Sequence, residues 1–226
     1  MTVYSFQLQG FLAMSKVIRS PTQMVMAAGL CIGLLLATGG FGGAKAALSP
    51  DPENNVRSFY ATLLTTMKYG PRLGERGRYA RLAPIVQQLF DVPYMAQLAV
   101  GPSWTSLTPA QQQQIIDAFG HYIAATYAYR FDRYSGEQLQ VLGEAPFSYG
   151  TLVQTRIIKS DGKPVTINYL MHQNDGRWQI ADIYLDGTIS QLAVQRSEFS
   201  SILHNRGVEG LIAALNRKVD LLTKPS

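Results

Sequence analysis

Three histidines are the side chains in this sequence best suited to metal chemistry. His121, His172 and His204 fall in three different predicted elements. None of them has the H-x-x-x-H or H-E-x-x-H spacing that brings two metal ligands onto one face of a helix. We therefore expect no metal site.

Thiol and nucleotide chemistry have equally little support. The single cysteine, Cys31, lies in an apolar run near the N-terminus. Removal of that segment leaves a chain without a thiol, which excludes disulfides and thiolate catalysis. The chain has no G-x-S-x-G elbow, phosphate-binding loop or G-x-G-x-x-G motif. We expect no cofactor.

Asp182 is the candidate for proton transfer, because a carboxylate whose pKa is raised by an apolar cavity acts as a general base in small cone-shaped α+β domains. Strand alternation places Asp182 on the same face as Trp178 and Tyr184, directed inward. The alternative is structural, since an aspartate at the end of a strand can pair with Arg196 or cap a loop. We favour the structural role and expect no catalytic residue.

The N-terminal 46 residues have the composition of a secretory signal. Lys16 and Arg19 precede an apolar run, and Ala44-Lys45-Ala46 fits the A-x-A pattern read by signal peptidase. The run spans about 15 residues, fewer than the ~20 that a membrane-spanning helix needs. We predict a signal peptide over 1–46, Sec-dependent export to the periplasm and one mature domain over 47–226. An uncleaved anchor is the alternative.

The net charge of the mature domain is small. The chain has 20 Lys and Arg against 15 Asp and Glu, and loss of Lys16, Arg19 and Lys45 leaves 17 against 15, a net charge of +2. This balance does not predict a nucleic-acid partner. The mature length suits a single domain with a substantial core.

Helical periodicity dominates the mature chain up to Gly136. Apolar residues at helical spacing predict helices over 52–69, 79–89, 94–98 and 108–134, and again over 189–204 and 208–222. Thr108 and Gln111 form a predicted capping box, and Gly207 suits the left-handed position after a helix. Pro84 predicts a kink or break in the second helix.

Two-residue alternation replaces this period after Gly136. It predicts strands over 138–145, 150–160, 164–173 and 177–185, joined by short turns that imply antiparallel pairing. The residues that we place on the buried face are Val153, Thr155, Ile157, Val165, Ile167, Tyr169, Met171, Trp178, Ile180 and Tyr184. Leu152, Ile158, Leu170, Ala181, Ile183 and Leu185 fall on the opposite, mixed face.

Several short motifs recur together in one known family. In order, they are LAVGPSW at 98–104, TPAQ at 108–111, GRWQIAD at 176–182, DG at 186–187, RSEF at 196–199 and GVEGL at 207–211. In this order and spacing the chain resembles the MlaC and toluene-tolerance family of periplasmic lipid-binding proteins, over roughly residues 52–218. The sequence Thr188-Ile189-Ser190 departs from the family pattern. One branch of the family is associated with hopanoid biosynthesis.

The resemblance implies a fold and a function. The expected fold class is α+β, with a four-stranded antiparallel curved sheet of the NTF2-like or cystatin-like kind, wrapped by about six helices around an apolar cavity. The implied ligand is a phospholipid or a hopanoid, whose acyl tails enter the cavity. The related carrier exchanges lipid between an inner-membrane ABC-type transporter complex and an outer-membrane lipoprotein and porin complex, which maintains the lipid asymmetry of the outer membrane.

On this basis we predict a lipid carrier that is not an enzyme. The predicted ligand-binding residues are Phe59, Leu63, Tyr94, Leu98, Trp104, Phe119, Ile123, Tyr127, Val153, Ile167, Tyr169, Trp178, Ile180 and Tyr184. Two alternatives stay open. One is an enzyme that acts on a hydrophobic substrate with Asp182 as general base, and the other is an assembly factor that binds no lipid.

Overall fold

The computed structural model describes residues 48–225, so the predicted signal peptide and its cleavage site lie outside the described residues. The elements are α1 (Pro52–Lys68), α2 (Gly70–Leu89), α3 (Val92–Val100), a 3-10 helix (Gly101–Ser106), α4 (Pro109–Arg130), β1 (Gln138–Phe147), β2 (Gly150–Ile158), β3 (Pro164–Asn174), β4 (Arg177–Leu185), β5 (Ile189–Ser190) and α5 (Gln191–Thr223). Between residues 48 and 225, no helix has the length and apolar character needed to cross a bilayer.

The strands form one antiparallel sheet in the order β1-β2-β3-β4-β5. This arrangement confirms the predicted α+β class and the meander of four strands. The two-residue strand β5 is an addition, because residues 189 and 190 pair with the end of β4 before the chain becomes helical. The last helix therefore begins two residues later than predicted.

Side-chain caps explain where α1 and α4 begin. Asp51 accepts hydrogen bonds from the backbone N–H groups of Glu53 and Asn54 at the start of α1. Thr108 and Gln111 form the predicted capping box at the start of α4. The predicted end of α4 at residue 134 was wrong, because the backbone leaves the helix at Phe131.

Pro84 does not break α2, contrary to the prediction. Proline has no backbone N–H, so the carbonyl of Ala80 loses its usual hydrogen-bond donor. Pro84 and Ala80 are both exposed, so water can donate to that carbonyl instead. The break in helical geometry falls instead at Gly74, which has φ 63° and ψ −178°. The helix thus continues from Gly70 to Leu89 across a kink at a different residue.

The two predicted C-terminal helices form one helix, α5, with a kink at Gly207. This residue has φ 65° and ψ −170°, a conformation that only glycine adopts readily. The predicted need for a positive φ at Gly207 is confirmed. The chain resumes the helix immediately afterwards, so no loop separates the two halves.

A β-bulge in β4 changes which side chains face the core. Leu170 of β3 pairs with Asp182, whereas the next residue, Met171, pairs with Ile180. Ala181 is therefore an extra residue on β4. An extra residue reverses the alternation of faces for the remainder of the strand.

The bulge overturns the predicted orientations of four residues at the end of β4. Ile183 and Leu185 share the inner face of the sheet, since they pair with Tyr169 and Ile167 on β3. Asp182 and Tyr184 consequently lie on the outer face, and the prediction that both point inward was wrong. Strand alternation read from the sequence assumes an unbroken period and cannot show an inserted residue.

The core lies between the inner face of the sheet and helices α1 and α4. Its centre is a cluster of aromatic rings around Phe59, with centroid distances of 5.0 Å to Tyr127, 5.6 Å to Phe90 and 6.2 Å to Tyr169. All four rings are buried and meet edge to face, an arrangement that aromatic pairs favour. This cluster holds α1 and α4 against the sheet.

Candidate functional site

A partly open cavity of about 50 Å³ lies between α3, α4, α5 and strand β4. Only apolar atoms are exposed on its wall. The lining residues are Met95, Phe119, Tyr122, Ile123, Thr126, Tyr127, Arg130, Ile183, Gln191, Leu192 and Gln195. A dry, apolar space of this kind accepts hydrocarbon better than water.

Helix α4 forms the largest part of the lining through two adjacent rows of side chains. Residues 119, 123 and 127 make one row, and residues 122, 126 and 130 make the other. Both rows have a spacing of four residues, which places side chains above one another on a helix. The cavity therefore runs along α4 for about three turns, roughly 16 Å.

The opposite wall comes from the first turns of α5, with Gln191, Leu192 and Gln195. Ile183 of β4 joins them because the bulge turns it to the inner face of the sheet. Without that extra residue, Tyr184 would occupy this side of the strand. The bulge thus decides which side chain β4 contributes to the cavity.

Asp182 fixes the start of α5. Its Oδ1 atom accepts from the backbone N–H of Leu192 at 3.0 Å and from that of Ile183 at 2.7 Å. Its Oδ2 atom accepts from the Ser190 hydroxyl at 2.6 Å, and Ser190 in turn accepts from the N–H of Ala193. Asp182 therefore has the structural role that we favoured, although it caps the start of a helix and not a loop.

The remaining interpretations of Asp182 have less support. Arg196, the other predicted partner, lies against Gly101 instead. Asp182 is on the opposite face of β4 from Ile183, which lines the cavity. Burial raises the pKa of Asp182, and its three hydrogen bonds oppose this effect. The carboxylate is positioned to cap a helix and does not face the cavity.

Several polar atoms beside the cavity have no hydrogen-bond partner among residues 48–225. They are both side-chain amide atoms of Gln195, the Oε1 atom of Gln191 and the Tyr127 hydroxyl. The Tyr122 hydroxyl lies near the Gln195 side chain, which slightly lowers the pKa of Tyr122. Neither amide atom of Gln195 reaches hydrogen-bonding geometry with it. A buried polar group without a hydrogen-bond partner lowers the stability of the folded state by about 1–3 kcal/mol.

The charge at the cavity comes from Arg130. Burial lowers the pKa of this guanidinium to about 10, so it stays protonated at neutral pH. Burial also raises the pKa of Tyr122 and of Tyr127, which are therefore neutral. Arg130 is thus the only charged residue among the described residues that line the cavity.

The predicted ligand-binding residues divide into three groups. Phe119, Ile123 and Tyr127 line the cavity. Phe59, Leu63, Val153, Ile167, Tyr169 and Ile180 are fully buried in the closed core. Tyr94, Leu98, Trp104, Trp178 and Tyr184 are half-buried and lie outside the lining. The contact of all fourteen with a ligand remains a prediction.

Eight lining residues were absent from that prediction: Met95, Tyr122, Thr126, Arg130, Ile183, Gln191, Leu192 and Gln195. The second row of α4 carried a usable signal, because Tyr122, Thr126 and Arg130 follow the same four-residue spacing as the predicted row. Gln191 and Gln195 carried no such signal in the sequence, since polar residues in the first turn of a helix are ordinarily solvated.

Two of the histidines have hydrogen-bonding roles. His172 Nε2 lies 2.9 Å from Asp91 Oδ2, and His121 Nδ1 lies 2.7 Å from the Tyr79 hydroxyl. Within the described part of the chain, no group of three His, Cys, Asp or Glu side chains could hold a metal ion.

The fold and the cavity define an α+β domain in which helices close an apolar space against an antiparallel sheet. A family model described as MlaC protein matches residues 58–217, and the chain belongs to the MlaC family. A solved structure with the same fold is described as a phospholipid-binding protein from Ralstonia solanacearum in complex with a phospholipid. The two chains share 25% sequence identity at a TM-score of 0.63, over 77% of this chain and 99% of that chain.

Proposed function

We propose that this protein is a lipid carrier that holds the acyl tails of a phospholipid in the cavity between α4, α5 and the sheet. The observation that carries the proposal is the wall of the cavity, on which only apolar atoms are exposed. The relative from Ralstonia solanacearum supports it, since that structure contains a phospholipid and is matched over 99% of its length. On the same grounds, we propose a phospholipid as the ligand of this chain.

The energetics explain why such a carrier is needed. Two acyl tails contain about thirty methylenes, and at ~0.8 kcal/mol each their exposure to water costs on the order of 20 kcal/mol. Unassisted passage across an aqueous compartment is therefore very slow. A carrier needs only to offer an environment about as favourable as the bilayer, because tighter binding would prevent release.

The cavity has to widen to admit a lipid. Its volume is about 50 Å³, whereas small-molecule pockets typically measure about 300–1,000 Å³. We place the widening at the seam between α4 and α5, because the unpartnered side-chain atoms of Gln191 and Gln195 lie there. Separation of the helices exposes these atoms to partners, which offsets part of the cost of opening.

The cellular setting follows from the family and from the predicted signal peptide. Membership of the MlaC family supports a periplasmic location, with lipid passed between an inner-membrane ABC-type transporter and an outer-membrane complex. If this chain belongs to the branch associated with hopanoid biosynthesis, the predicted ligand is a hopanoid in place of the phospholipid. Identification of the bound lipid by mass spectrometry separates the two cargoes.

A cavity-filling variant tests the carrier function. Thr126 lines the cavity and donates a hydrogen bond to the carbonyl of Tyr122. We expect Thr126→Leu to fill the space and to lower the lipid-bound fraction several-fold in native mass spectra of protein incubated with liposomes. Thr65→Leu is the matched control, since Thr65 makes the same bond to Ala61 in α1, away from the cavity. Equal lipid loading of the two folded variants would contradict the proposal.

The small size of the cavity favours one second candidate, an assembly factor that carries no lipid. That function requires partner association but not an open cavity. It predicts that Thr126→Leu supports lipid transport in cells as well as the unmodified protein. The carrier function predicts a transport defect in the same assay, with normal amounts of folded protein.

A further inference from the structure

A cluster of exposed cations and tyrosine rings lies where the end of α1 and the start of α2 meet the chain after α4. We define it as the basic face, formed by Lys68, Tyr69, Arg72, Arg81, Arg133 and Tyr134. All six side chains are exposed. The lipid-binding cavity does not use them.

The cations of the basic face surround the two rings. The guanidinium groups of Arg72 and Arg81 lie 5.9 Å and 5.8 Å from the centre of the Tyr69 ring. The ammonium group of Lys68 lies 5.3 Å from the centre of the Tyr134 ring. Both rings remain more than 40% exposed, at 47% for Tyr69 and 42% for Tyr134. Each ring is thus held at the surface by a cation–π contact.

Buried contacts beneath the face fix its shape. Arg78 donates to the carbonyl of Ala128 at 2.8 Å and to that of Gly70 at 3.1 Å, which ties α2 to α4. Gly70 packs so closely against Asp132 that a Cβ atom would lie 1.9 Å from the Asp132 carbonyl oxygen. Arg133 and Tyr134 are therefore held beside Lys68 and Tyr69.

The charge of the described chain is concentrated here. Residues 68–81 and 130–134, which include the buried Arg78 and the cavity-lining Arg130 as well as the exposed face, contain seven of the 17 Lys and Arg and two of the 15 Asp and Glu found in residues 48–225, a net charge of +5. The other described residues have ten against 13, a net charge of −3. The acids near the face are engaged, as Glu75 pairs with Arg78 and Asp132 pairs with Arg133.

The basic face and the cavity share the C-terminal end of α4. Arg130 lines the cavity and is the last residue of the helix. Arg133, three residues later, belongs to the basic face. A membrane in contact with the face would therefore meet the protein near the C-terminal end of α4.

We propose that the basic face docks the protein on an anionic membrane surface. Lys and Arg side chains gain from the negative potential of such a surface, and tyrosine rings suit the headgroup region because they are apolar with a polar tip. Exposed tyrosine rings beside cations are the combination that suits the headgroup region of an anionic bilayer, so we assign a bilayer as the partner. This inference extends the proposed function but does not depend on the identity of the cargo.

Vesicle flotation tests the charge of the face. We expect the protein to bind vesicles of phosphatidylcholine with one-quarter phosphatidylglycerol, not vesicles of phosphatidylcholine alone, and to dissociate as salt is raised. Replacing Arg72, Arg81 and Arg133 with Gln should weaken binding on the order of 100-fold, since each cation near the surface contributes about 1 kcal/mol. The matched control replaces Arg156, Arg177 and Arg206, which are exposed elsewhere.

The tyrosines give an independent test that leaves the charge unchanged. Tyr69→Ala should weaken binding to the same vesicles several-fold, whereas Tyr149→Ala, at a ring 59% exposed outside the face, should not. Three results would overturn the proposal. The two arginine triple variants could lose vesicle binding equally, the unmodified protein could fail to bind the vesicles, or it could bind only a purified acidic protein. Native mass spectrometry separates this result from the carrier function, because the face variants should retain bound lipid.

Discussion

Tyr60 and Tyr127 are both buried tyrosines beside the same aromatic cluster, but their hydroxyl groups differ in partners. The Tyr60 hydroxyl lies 2.6 Å from Thr155 Oγ1. Thr155 donates its own proton to the carbonyl of Ile167, so Tyr60 is the donor of this pair. Burial raises the pKa of Tyr60 to about 12. The Tyr127 hydroxyl lies near the Tyr169 hydroxyl, but neither group makes a hydrogen bond of good geometry among the described residues.

This difference predicts opposite effects of the same substitution. Tyr60→Phe should lower the free energy of unfolding by about 1–2 kcal/mol, because Thr155 loses a donor. Tyr127→Phe should leave it unchanged or raise it by up to ~1 kcal/mol, because an unpaired group is removed. Urea unfolding of lipid-free protein measures both values. An equal loss in the two variants would show that Tyr127 has a partner in solution.

The pKa of Asp182 predicts a dependence of stability on pH. Burial raises it above the ordinary 3.8, so the folded protein binds this proton more tightly than the unfolded chain does. The stabilising contribution is present below about pH 4 and is lost as the pH rises through the raised pKa. Asp182→Asn does not titrate. The stability of the unmodified protein relative to this variant should therefore fall as the pH rises above about 4, and a rise would contradict the assignment.

At the scale of elements, Gly207 allows α5 to bend. Its φ of 65° and ψ of −170° lie where residues with a Cβ atom are strained, although nothing lies within 4 Å of the position of that atom. Gly207→Ala should cost about 1–3 kcal/mol for purely conformational reasons. Gly120→Ala is the control, because Gly120 is helical in α4 and a Cβ there meets Val92 at an ordinary 3.5 Å.

The control variant should be neutral or more stable, since alanine is the better helix former by about 0.5–1 kcal/mol. Urea unfolding of both variants gives the comparison. If Gly207→Ala matched Gly120→Ala, the kink would not require glycine and α5 would be free to straighten.

Elements with a regular period were predictable from the sequence, whereas interruptions of the period were not. The capping box at Thr108 and the four alternating strands follow from local chemistry, and the structure confirms them. The bulge at Ala181 has no signature of its own in the sequence, because the residue fits either face of a strand. The error at Tyr184 follows directly from it.

At the scale of the whole molecule, the fold class was predictable and the cavity lining was only partly so. Periodicity shows which face of each helix is apolar, and this was enough to place Phe119, Ile123 and Tyr127 at the cavity. It does not show which apolar faces meet tightly and which leave space between them. Residues such as Phe59 and Tyr169 were therefore indistinguishable from lining residues until the packing was known.

Lipid removal should lower the stability of the whole domain. A ligand present at 100 times its dissociation constant stabilises the folded state by about 2.7 kcal/mol. For a domain of this size that corresponds to roughly 5–10 °C in Tm. Differential scanning calorimetry of protein before and after delipidation measures the shift. An unchanged Tm, with lipid loss verified by mass spectrometry, would count against binding inside the fold.

The most direct measurement maps where the lipid tails lie. A phospholipid with a photoreactive group near the end of one acyl chain is loaded into the protein, irradiated, and the crosslinked peptides are sequenced. The carrier account predicts crosslinks in residues 119–130 of α4 and 191–195 of α5, suppressed in Thr126→Leu. Crosslinks confined to the exposed surface, or equally strong in that variant, would contradict it.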